Sequence, residues 1–143
     1  MSETHAAAAG WTADEQEIDE VLAWFARYDE LVAAGDLQAM ADVAAFPINE
    51  VTDDPEGHGL ARPCDRATFI RQMQGAGVGS GGTTTTSVRH PVFLSAALCF
   101  VVTDASFTTD GHTEQMRYGD LLIRTEQGWR FQTMVAGGWH QQM

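Results

Sequence analysis

The sequence predicts an α+β fold, with helices first and a long antiparallel meander after them, the helices packed on one face of a curved sheet. Three observations carry this. Apolar residues recur at helical spacing between Asp14 and Ala34. Two further aspartates, Asp36 and Asp65, stand where helix N-caps belong. From Thr83 onward β-branched and aromatic runs dominate, broken at turn signals such as Asp110-Gly111 and Gly128.

At 143 residues the expectation is one domain. Residues 1–12 read as a flexible N-terminal tail, and 13–143 as the domain. In the first helix, Ile18, Val21, Leu22, Phe25, Tyr28 and Val32 form one stripe. Acidic residues crowd its first turns, which suits the helix dipole. Gly35 ends it, and Asp36 caps a second helix running to about Ala45. Phe46-Pro47 breaks that helix.

Ile48–Asp53 reads as a strand, Pro55–Gly59 as a turn and Leu60–Pro63 as a returning strand. Asp65 caps a third helix over Arg66–Gln74, with Phe69, Ile70 and Met73 as its apolar side. Gly75–Gly82 is expected to be a flexible link. Its alternating glycines follow a helix and lack a lysine, so a phosphate loop does not fit. Thr83–Leu94 forms a strand bent at Pro91, and Ala96–Thr109 a long one. Two more strands follow, between Thr113 and Trp139, around the turn at Gly128. The first places Met116, Tyr118 and Asp120 on one face. A carboxylate in that apolar stripe needs a partner or a purpose.

Charge excludes several function classes. The formal net charge is −12, and all eight basic residues are arginines. Nucleic acid and anionic membrane surfaces are therefore not expected partners, since phosphate binding needs a basic patch. Two cysteines, Cys64 and Cys99, make no disulfide framework, and Cys99 sits in an apolar run as a core thiol. The N-terminus has no basic region and no apolar stretch of signal-peptide type, so the expected compartment is cytoplasmic. The histidines are scattered, with no pair at ligand spacing, and no metal site is expected.

Three local patterns, in this order, resemble the nuclear transport factor 2-like superfamily: Tyr28-x-x-Leu-x-x-x-Gly-Asp-Leu, Thr52-Asp-Asp-Pro-x-Gly and Gly128-Trp-Arg-Phe. The resemblance spans Trp24 to Trp139. It implies a cone-shaped, curved antiparallel sheet wrapped around a long N-terminal helix, with two further helices and a hydrophobic pocket inside. The superfamily holds isomerases, SnoaL-type polyketide cyclases, dehydratases, epoxide hydrolases and non-catalytic members, so fold leaves function open.

Among the enzymes the local patterns look like ketosteroid isomerases, and acid–base catalysis without a cofactor is what that likeness implies. Tyr28 falls where those enzymes carry an oxyanion-hole tyrosine. Asp54, in Asp54-Pro55-x-Gly57, resembles their catalytic base. Asp120, counted from Gly111, falls where they keep a protonated aspartate. The sequence departs from them in a longer segment between Tyr28 and Asp54, in Phe46-Pro47-Ile48, and in an extra residue between Asp120 and the last strand.

Each candidate also has a plain structural reading. Asp53 and Asp54 can bond backbone in a turn, and strand register leaves open which faces inward. Asp120 can satisfy an arginine or a tyrosine hydroxyl, and Tyr28 can be core. Trp24, Met116, Tyr118, Met134 and Trp139 are candidate ligand-binding walls or ordinary packing. His90 and His140 are further ligand-binding candidates that could reach a pocket as acid–base groups, and a bulge at Gly137-Gly138 would turn Trp139 toward its mouth. An epoxide hydrolase would need an Asp-Arg-Asp relay, and Arg117 falls on the face opposite Asp120.

The expected function is an acid–base enzyme of isomerase, cyclase or dehydratase type on a small apolar carbonyl compound. The alternative is a non-catalytic ligand-binding or dimerisation module. A homodimer would pack the outer sheet face, with Phe100 and Val102, against its twin.

Overall fold

The computed structural model describes residues 11–139. Residues 1–10 of the expected tail and the candidate His140 lie outside the described residues.

Helix α1 spans Glu15–Ala34. The Asp14 carboxylate accepts the Glu17 N–H at 2.8 Å, and the Glu17 carboxylate accepts the Asp14 N–H at 3.1 Å. This reciprocal pair satisfies two of the amides that a helix start leaves unpaired. Gly35 closes the helix at φ 66, in the left-handed region. Val21, Trp24 and Phe25 are buried, whereas Leu22, expected in the same stripe, is exposed at its edge.

Helix α2, Leu37–Asp42, ends earlier than expected, because the chain enters strand β1 at Ala44 (Ala44–Asp53). Phe46-Pro47 therefore lies inside a strand instead of ahead of one. The register is irregular between Ala44 and Asn49, which accommodates a residue with no N–H to give the ladder. Strand β2 (Gly59–Cys64) returns antiparallel to β1. Helix α3 (Arg66–Gly75) starts at Asp65, whose carboxylate accepts the Thr68 N–H at 2.8 Å.

The glycine-rich segment after α3 is docked against α1. Val78 packs on the core, and a Cβ built on Gly79 would stand 2.4 Å from the Gly35 Cα. Strands β3 (Thr83–Ser95), β4 (Leu98–Thr109), β5 (His112–Thr125) and β6 (Gly128–Val135) form the expected meander.

The sheet is six-stranded, curved and unclosed, in the order β2-β1-β6-β5-β4-β3. It is mixed where a purely antiparallel sheet was expected: β1 runs parallel to β6, and every other neighbouring pair is antiparallel. β1 is entered from α2, so no tight turn imposes antiparallel pairing on it.

One face of the sheet is buried. It carries Ile48, Glu50 and Thr52 from β1, Cys99, Val101, Thr103 and Ala105 from β4, Asp120 and Leu122 from β5, and Trp129 and Phe131 from β6. The core forms where Val21, Trp24 and Phe25 of α1 and Phe69 of α3 join this face. Among the described residues, no helix is long and apolar enough to cross a membrane.

Candidate functional site

Alternation along β5 points Tyr118, Asp120 and Leu122 to the inner face. Asp120 lies between Val101 of β4 and Met134 of β6. It is only 6% exposed, and among the described residues no donor bonds its carboxyl. Burial pushes its pKa up to about 7, and the Arg89 guanidinium offsets part of that rise. Near neutral pH such a group can both give and take a proton.

Tyr28 approaches from α1. Its ring stacks on Trp24, one helical turn earlier, at 5.6 Å and 2°, and meets Phe131 edge-on at 5.4 Å. Trp24 is fixed in turn, since its indole N–H donates to the Trp129 carbonyl at 3.0 Å. Burial, and then the Asp120 carboxylate, push the Tyr28 phenol well above the ordinary tyrosine range. Tyr28 is thus a neutral donor within the field of Asp120. Its ring also borders an open cleft of about 700 Å³ between α1, α2 and the β5–β6 turn, which Trp24, Leu31 and Trp129 line as well. The cleft has the volume of a small-molecule site.

Arg89 of β3 closes the other side. It reaches Asp29 of α1 with both terminal nitrogens, at 2.6 and 3.0 Å. Its Nε donates to Thr103 Oγ1 at 3.3 Å, and the guanidinium lies 4.5 Å over the Phe25 ring. Tyr118 accepts a long bond from it at 3.5 Å. Burial raises the Tyr118 pKa, and Arg89 opposes that rise.

Tyr28, Tyr118, Asp120, Trp24 and Met134 thus come together around the inner face. Met116 shares the parity of Tyr118, farther along β5 and opposite Ala105. Other candidates stand elsewhere. The Asp54 carboxylate caps its own turn, accepting the Glu56 and His58 amides, both at 2.9 Å. Asp53 points away from the buried face and accepts the Gly138 N–H at 2.8 Å. The Asp54 carboxylate is thus taken up by its own turn, and that of Asp53 by backbone at the strand end. Trp139 is held there as well, its N–H donating to Thr52 Oγ1 at 2.9 Å.

His90 is on the outer face, 3.1 Å from the Asp104 carboxylate, and is no wall of an interior pocket. Arg117 binds that same carboxylate at 2.6 and 3.0 Å, on the face opposite Asp120 as its parity required. Asp54, Glu56 and His58 bring possible metal-ligand atoms within 4.8 Å of one another. Glu56 and His58 are exposed and Asp54 is engaged by the turn, so these residues make a solvated hairpin tip.

One buried acid went unnoticed in the sequence. Glu50, in β1, is 4% exposed and accepts a hydrogen bond from the Gln72 side-chain amide of α3 at 3.1 Å. Cys64 completes this group, donating to Gln72 Oε1 at 3.7 Å, and burial followed by the Glu50 carboxylate pushes its thiol up to about 12. The signal was available: Ile48, Glu50 and Thr52 alternate, so an inward Ile48 carries Glu50 inward with it.

No known family's sequence profile matches the chain, and no curated protein sequence does. Solved structures do. A domain with a cystatin-like fold from Nostoc punctiforme superposes with a TM-score of 0.65 at 14% identity, covering 87% of this chain and 78% of that one. A nuclear transport factor 2-like protein with a cystatin-like fold from Novosphingobium aromaticivorans gives 0.64 at 14%, covering 85% and 81%. A candidate scytalone dehydratase from Novosphingobium aromaticivorans gives 0.62 at 14%, covering 94% and 86%. At such identities the likeness is one of fold.

Proposed function

On this nuclear transport factor 2-like fold, we propose a cofactor-independent acid–base enzyme of isomerase, cyclase or dehydratase type, acting on a small, largely apolar carbonyl compound. The observation that carries the reading is Asp120, a buried carboxyl without a hydrogen-bond donor among the described residues, held near neutral pKa by its burial. When a proton leaves the carbon beside a carbonyl, negative charge gathers on the oxygen. Protonated Asp120 and the Tyr28 hydroxyl are the donors that meet that charge. Donors fixed in a dry site stabilise it far better than water does. Tyr28, though not Asp120, also borders the open cleft, where Trp24 and Trp129 offer aromatic surface among charged residues such as Arg27, Glu30 and Asp42. One protein of this fold is a candidate scytalone dehydratase, which is in keeping with the dehydratase option.

The test is binding of 4-nitrophenol, whose phenolate imitates an enolate. The native chain is expected to bind it and shift its absorption, and Asp120→Asn and Tyr28→Phe are expected to weaken binding. Equal binding by the native chain and both variants sinks the reading.

A second reading, a dimerisation module, is favoured by one observation. Val88, Val92, Leu94 and Leu98 are exposed at 60%, 53%, 59% and 41%, in neighbouring strands of the outer region. Apolar surface gathered in this way marks an interaction face.

A further inference from the structure

Resting on the reading of Asp120 above, we propose that Glu50 is the catalytic base, taking the carbon-bound proton from a carbonyl substrate while Asp120 and Tyr28 hold its oxygen. The sheet register makes the case. Glu50 pairs with Met134, and Met134 pairs with Asp120, so the three form one row across β1, β6 and β5. A bulge in β6 keeps that row in phase: Leu121 pairs with Thr133 but Leu122 with Phe131, leaving Gln132 as the additional residue. Phe131 and Met134 therefore both turn inward.

Glu50 and Asp120 are both buried, at 4% and 6% exposure, on the same face. Adjacent strands are about 4.8 Å apart, so the two backbones stand roughly 10 Å from each other, with Met134 as the floor between. Met134, Tyr118 and Tyr28 are only half-buried, so this part of the inner face is less tightly covered than the Ile48 and Leu122 core beside it.

The two acids have different surroundings. Asp120 has Arg89 in its field and no hydrogen-bond donor among the described residues. Arg62 of β2 stands opposite Glu50 in the register, but among the described residues no ion pair joins them; the Gln72 amide and the Cys64 thiol are the groups at the carboxylate. The Gln72 amide fixes the direction of the carboxylate. The acids first singled out are engaged by backbone amides, Asp54 in its turn and Asp53 at Gly138.

The step balances without a co-reactant. The Glu50 carboxylate takes the α-proton. The C–H pair becomes the enolate double bond, and the carbonyl π pair moves to the oxygen held by Asp120 and Tyr28. Protonated Glu50 then returns the proton to a conjugated carbon in isomerisation; in exchange it first trades that proton with solvent, so that in D₂O a deuteron goes back to the same carbon.

The experiment follows deuterium uptake into cyclohexanone in D₂O by NMR, alongside 4-nitrophenol binding. Glu50→Gln is expected to cut uptake by about 100-fold or more, within the usual worth of a general base. It is expected to bind 4-nitrophenol at least as tightly as the native chain, since the carboxylate that would face the phenolate is gone. If Glu50→Gln exchanges as fast as the native chain, Glu50 is not the base, and the Asp120 reading stands on its own binding result. If the native chain neither binds 4-nitrophenol nor exchanges, the underlying reading falls and Glu50 with it. Glu50→Asp guards against misfolding. Checked by circular dichroism, it keeps the charge on a shorter arm and is expected to exchange slower than the native chain and faster than Glu50→Gln. Uptake equal to the native chain in both variants overturns the proposal.

Discussion

Arg89 bonds Asp29 at two points, at 2.6 and 3.0 Å, while Asp120 feels its charge without bonding it. The guanidinium is shared unequally between an acid on α1 and an acid on β5. Its side chain is 10% exposed and that of Asp29 is 48% exposed, so water screens the Asp29 end more.

Removing the Asp29 charge should redirect that field. In Asp29→Asn the cation has one fewer competing acid, which favours ionised Asp120, so its pKa is expected to fall below about 7. Arg89→Met should move it the other way, since the group that opposes the burial effect is gone. Carboxyl-carbon NMR titration reads both. Shifts in the same direction, or none, would show that Arg89 does not set the protonation of Asp120.

Stability should depend on pH through Asp120 with a definite sign. Its pKa in the folded chain is raised from 3.8 to about 7. Between those values the folded state holds a proton that the unfolded chain has lost, so stability falls as pH rises. The contribution is full below about pH 4 and gone above about pH 7, up to about 4 kcal/mol in all. Asp120→Asn should remove this slope and be more stable than the native chain at pH 8. Urea unfolding of both chains from pH 5 to 8 checks it; parallel curves would contradict a protonated Asp120.

What the sequence revealed, and what it hid, follows from the range of each interaction. Helix caps at Asp36 and Asp65 are contacts over three residues, so they could be read directly. Asp120 was found inward because alternation along β5 is local too. The parallel pairing of β1 with β6 joins residues more than eighty positions apart, and no local pattern encodes it. Glu50 escaped notice for a related reason. Asp53-Asp54-Pro55 carries a strong turn signal and a family likeness, whereas Glu50 gains its meaning from Gln72 and Met134, which only the fold brings to it.

The contact between Gly79 and Gly35 predicts a sharp contrast between two glycines. Both Gly79 and Gly81 have φ of 81, so either alanine costs about 1–2 kcal/mol in backbone strain. A Cβ on Gly79 meets the Gly35 Cα at 2.4 Å, while one on Gly81 meets nothing within 4 Å. Backbone cannot swing aside as a side chain can. Gly79→Ala is therefore expected to cost about 2–4 kcal/mol and Gly81→Ala about 1–2 kcal/mol. Urea midpoints, with hydrogen exchange over residues 75–82, would show it. Equal losses would mean that the segment does not rest on α1.

The outer face yields the last prediction. Val92 and Leu94 share a face of β3 and are exposed at 53% and 59%. On the same face, Asp104 binds His90 and Arg117, placing charge beside the apolar group. An apolar centre with a polar edge is how a protein–protein interface is commonly built. A homodimer through this face should sediment as two chains at micromolar concentration. Val92→Glu with Leu94→Glu buries two unpaired carboxylates in such an interface and should leave monomers whose circular dichroism is unchanged. The inner-face acids lie across the sheet from these positions, so 4-nitrophenol binding should survive the double change. A native chain that sediments as a monomer would rule the dimer out. A monomeric variant that has also lost 4-nitrophenol binding would tie the site to the assembly, contrary to the separation of the two faces argued above.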